Sequence, residues 1–169
     1  MREPSEITQE LCNHLFTYDD GVLYWKNYSY GKKHSRIVIG EPAGCWMGNG
    51  YHYVSVQGRR CKTQRIIFLM HHGYLPPIVD HIDCDPKNNR IENLRASDKY
   101  QNVWNSSLSA RNKSGAKGVS YNKRDNKWAV RVEAHGVVYN IAKITDKKEA
   151  ILVAKNVRKL LHKEFARCA

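Results

Sequence analysis

The stretch Ile78-Val79-Asp80-His81-Ile82-Asp83-Cys84-Asp85-Pro86-Lys87-Asn88-Asn89-Arg90-Ile91-Glu92-Asn93-Leu94-Arg95-Ala96-Ser97-Asp98-Lys99-Tyr100-Gln101-Asn102-Val103-Trp104-Asn105 decides the fold of this chain. It opens as a short apolar strand that ends in Asp-His. A polar loop rich in Asp and Asn follows, with the residue types that turns favour. A second short strand carries Leu94 and Arg95. Ser97 is expected to cap a helix that bears Asn102 one turn in.

The side chains of this stretch define a chemistry. Neighbours on a strand point to opposite faces, so Asp80 and His81 serve different ends. A carboxylate suits a hard cation such as magnesium. A histidine titrating near neutrality suits proton abstraction from water. Asn102 offers a neutral carbonyl oxygen as a second metal ligand. Asn93 can hold the imidazole by accepting a hydrogen bond from its other ring nitrogen, which fixes the tautomer. Such a set would hydrolyse a phosphodiester: the histidine deprotonates water and the metal stabilises the leaving oxygen. Taken one by one, each residue also has a structural reading, since Asn-rich loops are mostly turns. Their joint order points to the chemistry.

That order resembles the HNH nucleases, with their ββα-metal fold, and within them the phage and intron-encoded homing endonuclease branch. The likeness runs from Arg65 to Gly73, through Leu75-Pro76-Pro77, Asp80 to Asp83 and Asn88 to Arg95, to Gln101-Asn102. The resemblance implies that His81 is the general base and Asn93 its orienting partner. It makes Asp80 and Asn102 the ligands of one magnesium or manganese ion per active site. Asn102 stands where a histidine is also found in the family. Cys84 replaces a usual glycine, which strains the loop if a positive φ is needed there. Gln64 replaces a usual histidine. Arg65 and Arg95 are assigned either to phosphate or to local acids such as Glu92 and Asp98. His71 and His72, at a helix end, are read as cap or core.

Upstream, residues 5–16 read as a short helix with Ser5 as N-cap and Ile7, Leu11 and Leu15 on one face. Asp19-Asp20-Gly21 turns the chain into a strand at Val22–Lys26. Strands are expected over 51–56 and 59–62, then a helix capped by Thr63 and stopped by Gly73. No chemistry is assigned to the first fifty residues.

Downstream the composition changes. Residues 1–60 hold 7 basic and 6 acidic side chains, residues 61–110 hold 6 and 5, and residues 111–169 hold 15 and 5. The last segment thus carries almost all of the net charge of +12. An excess so placed points to an anionic polymer, nucleic acid above all. The small polar run 106–114 reads as a linker. This divides the chain into a nuclease domain over 1–105, with its ββα motif at 78–105, and a second domain over 115–169.

The second domain reads as three strands (118–121, 128–133 and 137–141) and one helix capped by Thr145. The helix presents Ala150, Val153, Ala154, Val157, Leu160, Leu161 and Phe165 at helical spacing. In the middle strand Trp128, Val130 and Val132 share the helix side, while Ala129, Arg131 and Glu133 face outward. The segment resembles the Apetala type of DNA-binding domain, through Lys117-Gly118-Val119, Lys127-Trp128 and the ending Leu161 to Ala166. The resemblance implies a sheet laid in the major groove. Lys117, Ser120, Asn122, Lys127, Arg131 and Asn140 would face DNA, and Lys123 and Arg124 would reach phosphates. Arg131 is placed to read guanine with two hydrogen bonds. Lys147, Lys148, Lys155, Lys159 and Lys163 are read as a solvated helix face.

Exclusions complete the reading. No apolar run is long enough to span a membrane, and the first twenty residues lack the pattern of a secretory signal. Five cysteines without C-x-x-C spacing argue against a disulfide framework or a thiolate zinc site. A reducing cytoplasm fits, that of the bacterial host if the gene is a phage's. The expected class is α+β: an N-terminal ββα-metal nuclease domain, then a three-stranded antiparallel sheet packed on one helix. The expected activity is metal-dependent, site-specific cleavage of double-stranded DNA by a monomer or weak dimer, with nicking by the monomer. A DNA-binding regulator with a relic motif is the alternative from another class. An RNA-binding module rests on net charge alone.

Overall fold

A computed structural model describes residues 7–28 and 37–167. It is a mixture of helices and small antiparallel sheets that divides into two compact units, Met1–Ser97 and Asp98–Ala169.

The first unit begins with helix α1 (Gln9–Leu15). Its N-cap is Thr8, whose hydroxyl accepts the Leu11 N–H; Ser5 lies outside the described residues. Strands β1 (Phe16–Asp19) and β2 (Val22–Trp25) form a hairpin through Asp20-Gly21. The sequence reading runs its helix through Phe16 and misses β1. Strands β3 (Cys45–Trp46), β4 (His52–Val56) and β5 (Arg59–Lys62) make an antiparallel sheet that leads into α2 (Thr63–His72). Thr63 is not the cap. The cap position is Lys62, and the Thr63 hydroxyl pairs with His52 Nδ1 at 2.8 Å. Gly73 ends α2 at φ +76, as expected of a left-handed stop. Strands β6 (Ile78–His81) and β7 (Leu94–Ser97) then pair antiparallel, with Asp80 opposite Arg95 and His81 opposite Leu94.

These pieces share one core. Cys12, Leu15, Phe16, Leu23, Val54, Val56, Ile66, Ile67, Val79 and Leu94 are all buried in it. Cys12 is a small hydrophobe here: burial, with the Cys61 thiol, pushes its thiol up to about 11. Gln64 is buried too, and its amide donates to the Val79 carbonyl at 3.3 Å, fastening α2 to the strand that carries Asp80. Arg65 pairs with neither Glu92 nor Asp98. It donates to the carbonyls of Pro76 and Pro77, both at 3.2 Å, and so clamps the turn that leads to β6.

The second unit starts at α3 (Lys99–Asn105). Asp98, not Ser97, is its N-cap, and it forms a reciprocal capping box with Gln101. The expected boundary at 105 does not coincide with the division at Ser97–Asp98. The physical reason is Trp104, which is buried with Ala134 and Phe165. Its ring lies flat on His162, with centroids 4.3 Å apart, and its carbonyl accepts from Arg158 at 3.1 Å.

Strands β8 (Val119–Asn122), β9 (Lys127–Ala134) and β10 (Val137–Ile144) form an antiparallel sheet in the order β10-β9-β8. Helix α4 (Lys147–His162) packs on one side through Ala150 and Ala154, against Val119 and Val130. Its N-cap is Asp146, whose carboxylate accepts the Glu149 N–H, rather than Thr145. Leu160 is a correction of another kind: it is 78% exposed. The buried positions near the end of the helix are Arg158 and His162, one turn apart, and both find backbone carbonyls to bond. Polar residues thus occupy a stripe that an apolar pattern cannot show.

Candidate active site and nucleic-acid face

The hairpin β6–β7 presents Asp80 and His81, each only 6% exposed. Burial of two such groups requires partners. Asp80 Oδ2 accepts from Arg95 Nε at 2.9 Å, the cross-strand pair that the register dictates. Arg95 thus meets an acid, though neither of the two expected ones. His81 Nε2 lies 3.0 Å from Asn89 Oδ1 in a buried contact. With the amide oxygen facing the ring, Nε2 carries the proton and Nδ1 keeps its lone pair. Asn89 therefore orients the imidazole through its Nε2 edge.

The orienting role was expected of Asn93, and the structure gives Asn93 different contacts. Its amide donates to Asp83 Oδ1 at 2.9 Å and to the Asn88 carbonyl at 2.8 Å. Its oxygen accepts the Asp83 N–H at 3.1 Å. Asn93 is a brace across the loop between β6 and β7. The same loop holds Asp83 in a cage. Burial pushes its carboxyl up, but bonds from the Asp85 N–H, Asn88 and Asn93, with His81 nearby, bring it below the usual carboxylate range. Cys84 sits at φ +64, in the left-handed region that a glycine would occupy freely.

The lead-in segment supports this loop. The Tyr18 hydroxyl accepts the Ile91 N–H at 3.0 Å. Arg90 pairs with Asp20 at 2.6 Å on the surface. At Gly21, φ +89, a Cβ would stand 3.0 Å from the Arg90 nitrogen, so the hairpin turn approaches the loop backbone closely. Tyr18, Asp20 and Asn89 are positions at the candidate site that sequence reasoning missed. The first two hide in a segment without a motif. Asn89 is one of three asparagines in the loop, and spacing alone does not choose among them.

The donor set tests the fit of a metal. Among the described residues no group of three or more His, Cys, Asp or Glu is gathered for a metal ion. Asp80 supplies a carboxylate, a hard donor of the kind that magnesium takes together with water and substrate phosphate. The donor chemistry fits a hard divalent cation. Asn102 belongs to α3, in the second unit.

In the second unit, the register sets the outward face. Ser120 lies opposite Ala129, Asn122 opposite Lys127, and Asn140 opposite Arg131. Lys127, Arg131, Ser120 and Asn140 are exposed on that side, while Val130 and Val132 are buried on the other. Lys123 and Arg124 are exposed on the β8–β9 turn. Two of the expected DNA-facing residues make hydrogen bonds within the unit. Asn122 closes the turn, donating to Asp125 Oδ2 at 2.9 Å and accepting the Arg124 N–H at 3.0 Å. The Lys117 ammonium donates to the carbonyls of Trp104 and Ser106, capping the C-terminal end of α3. Lys143, which the sequence reading omits, stands opposite Ala129 and is ion-paired with Asp125.

The short hairpin β6–β7 thus sets a buried histidine, bonded to Asn89, beside a buried aspartate paired with Arg95. The family model described as HNH endonuclease matches residues 61–103. An uncharacterized HNH endonuclease of Acanthamoeba polyphaga mimivirus is 30% identical over 156 residues, covering 87% of this chain and 81% of the relative. The chain belongs to the HNH endonuclease family. Protein 3.8 of Escherichia phage T7 is 36% identical over 89 residues, covering 53% of this chain and 73% of the relative. No solved structure matches the chain at a significant level.

Proposed function

We propose that this protein is a metal-dependent, site-specific DNA endonuclease of the homing type, with a ββα-metal active site. The carrying observation is the buried His81–Asn89 pair. It holds one imidazole nitrogen as donor and leaves the other able to take a proton from water. His81 Nδ1 is the general base, Asn89 its positioning residue, and Asn93 the brace of the loop. Asp80 is the carboxylate ligand for one magnesium or manganese ion. When bound, that ion would polarise the scissile phosphate and offset charge on the leaving oxygen.

The C-terminal unit is the recognition module, of the Apetala type. Arg131 reads a base edge; Ser120 and Asn140 flank it; Lys127, Lys123 and Arg124 hold phosphates. The net charge of residues 111–169 supports this division of labour. One chain supplies one active site, so the monomer nicks one strand, and a double-strand break needs a dimer or a second binding event. In a phage setting the site of action is the host cytoplasm. Among the described residues no helix is long and apolar enough to cross a membrane.

The Asp80–Arg95 ion pair favours a second reading, because it engages an oxygen that a cation would need. In that reading the protein is a DNA-binding regulator that no longer cuts. Incubation with a supercoiled plasmid and with a whole phage genome, with and without magnesium, separates the two. Nicked product that appears only with the metal supports the endonuclease. Binding of the phage genome with no cleavage under magnesium or manganese would establish the regulator.

A further inference from the structure

A cleft of about 420 Å³ opens in the first unit, within the size range of ordinary ligand sites. It lies between β2, the β3–β4 sheet and the loop that follows β6. Trp46 lines it and is 52% exposed, although an indole carries more apolar area than any other side chain. The His52 and Trp46 rings meet in a T-shaped contact, with centroids 4.9 Å apart. His52 Nδ1 is tied to Thr63, so the ring is held with its other nitrogen turned away from that bond. Gly44, at φ +101, packs its backbone against this pair. A Cβ there would meet the Tyr53 carbonyl oxygen at 2.3 Å and His52 Cε1 at 2.8 Å. The β3–β4 pairing therefore presents Trp46 on a rigid support.

The opposite wall comes from Lys87, Asn89 and Arg90. Arg90 is neutralised by Asp20, which also lines the cleft. Lys87 is exposed, and among the described residues its ammonium has no acidic partner. Asn89 belongs to both places: it lines the cleft, and its side chain holds His81. A ligand in the cleft is thus one residue from the general base. The cleft offers a flat aromatic face, a polar edge and one uncompensated cation. These match the three parts of a nucleotide, the base face, the base edge and the phosphate.

We propose that this cleft is a nucleotide subsite, which takes one unstacked base of the strand being cut on Trp46, with an adjoining phosphate at Lys87. The proposal rests on the endonuclease reading for its substrate, and it names what holds the strand beside His81. It accounts for the exposed indole, which the folding of the unit alone does not need.

The test uses photo-crosslinking of the full chain to a short single-stranded oligothymidylate carrying 5-iodouracil, followed by peptide mapping. It is run on the His81→Ala background so that no strand is cut. Attachment to the peptide containing Trp46 is expected. Stacking on an aromatic ring is worth roughly 1–3 kcal/mol per base, about five- to 150-fold in affinity. Trp46→Ala should lose the crosslink and weaken oligonucleotide binding within that range, and Trp46→Phe should restore most of both. Lys87→Ala should keep the crosslink at Trp46, weaken binding at low salt and lower the salt dependence of binding. Labels confined to residues 119–144, with unchanged affinity in Trp46→Ala, would overturn the subsite. Magnesium-dependent plasmid nicking by the wild-type chain is scored alongside. Its absence would count against the endonuclease, whatever the crosslink shows.

Discussion

In the loop between β6 and β7, polar side chains turn inward: Asn89 holds His81, and Asn93 bonds Asp83 and Asn88. On the outer face of β8–β10 they turn outward, and Arg131, Lys127 and Ser120 stand exposed. The first arrangement fixes atoms in advance, which is what bond-breaking chemistry needs. The second leaves side chains ready to exchange water for a partner, which suits recognition of a long anion. The same polar residue types thus make fixed internal bonds in one region and stand open in the other. Lys117 and Asn122 lie in the second unit and are bonded within it.

This contrast can be broken most forcefully at Asp80. Asp80→Ala leaves the Arg95 charge buried without its carboxylate, at a cost of about 3–5 kcal/mol. A large fall in Tm is expected, together with loss of cleavage. Asp80→Asn keeps the shape and should lose cleavage with a smaller fall in Tm. An Asp80→Ala protein as stable as the wild type would mean that the ion pair contributes nothing to the first unit.

A smaller break is Asn89→Ala. It strips the buried imidazole N–H of its acceptor, which costs about 1–3 kcal/mol. Cleavage should fall, and its pH profile should move, because the tautomer is no longer held. Asn93→Ala should instead loosen the loop and leave the pH profile in place. Interchanged results would return the orienting role to Asn93.

Mild acid tests what the two units share. His52 in the first and His162 in the second both have a lowered pKa through burial, and at His162 the nearby Arg158 adds to it. The folded value lies below the unfolded one, so the unfolded chain binds more protons between the two. This stability is complete above about pH 6.5 and is lost as the pH falls through the window beneath it. Thermal melts should be level from about pH 8 to 7 and drop below about pH 6.5. Melts that stay level to pH 5 would contradict the burial of both rings.

The smallest effect is expected at Cys84. A non-glycine residue at φ +64 carries strain, and Cys84→Gly should stabilise the first unit by roughly 0.5–1 kcal/mol. Chemical denaturation reads this directly. Destabilisation would show that the Cys84 side chain holds the loop by contacts that outweigh the strain.

Much of this was legible in the sequence. The Asp-His ending of β6, the hairpin to β7 and the helix with Asn102 follow from turn residues, apolar runs and caps. The alternation of Trp128, Val130 and Val132 against Arg131 and Glu133 follows from strand geometry. Other features were not legible, for physical reasons. Asn88, Asn89 and Asn93 have the same chemistry, and only the course of the loop decides which one meets His81. Trp104 reads as the end of a nuclease helix, but its burial with Phe165 and His162 groups that helix with the second unit. Leu160 fits a helical stripe, and yet Arg158 and His162 fill it, because each found a carbonyl to bond.

The most direct test of the division between cutting and recognition measures binding and cleavage separately, on the same end-labelled DNA carrying the mapped site. His81→Ala should bind within about twofold of wild type and cut at least roughly a hundredfold more slowly. Arg131→Ala should lose about 1–3 kcal/mol of binding at one base pair and keep its cutting rate once bound. Should His81→Ala cut at the wild-type rate, or should Arg131→Ala lose the chemical step with binding intact, the assignment of the two regions would be contradicted.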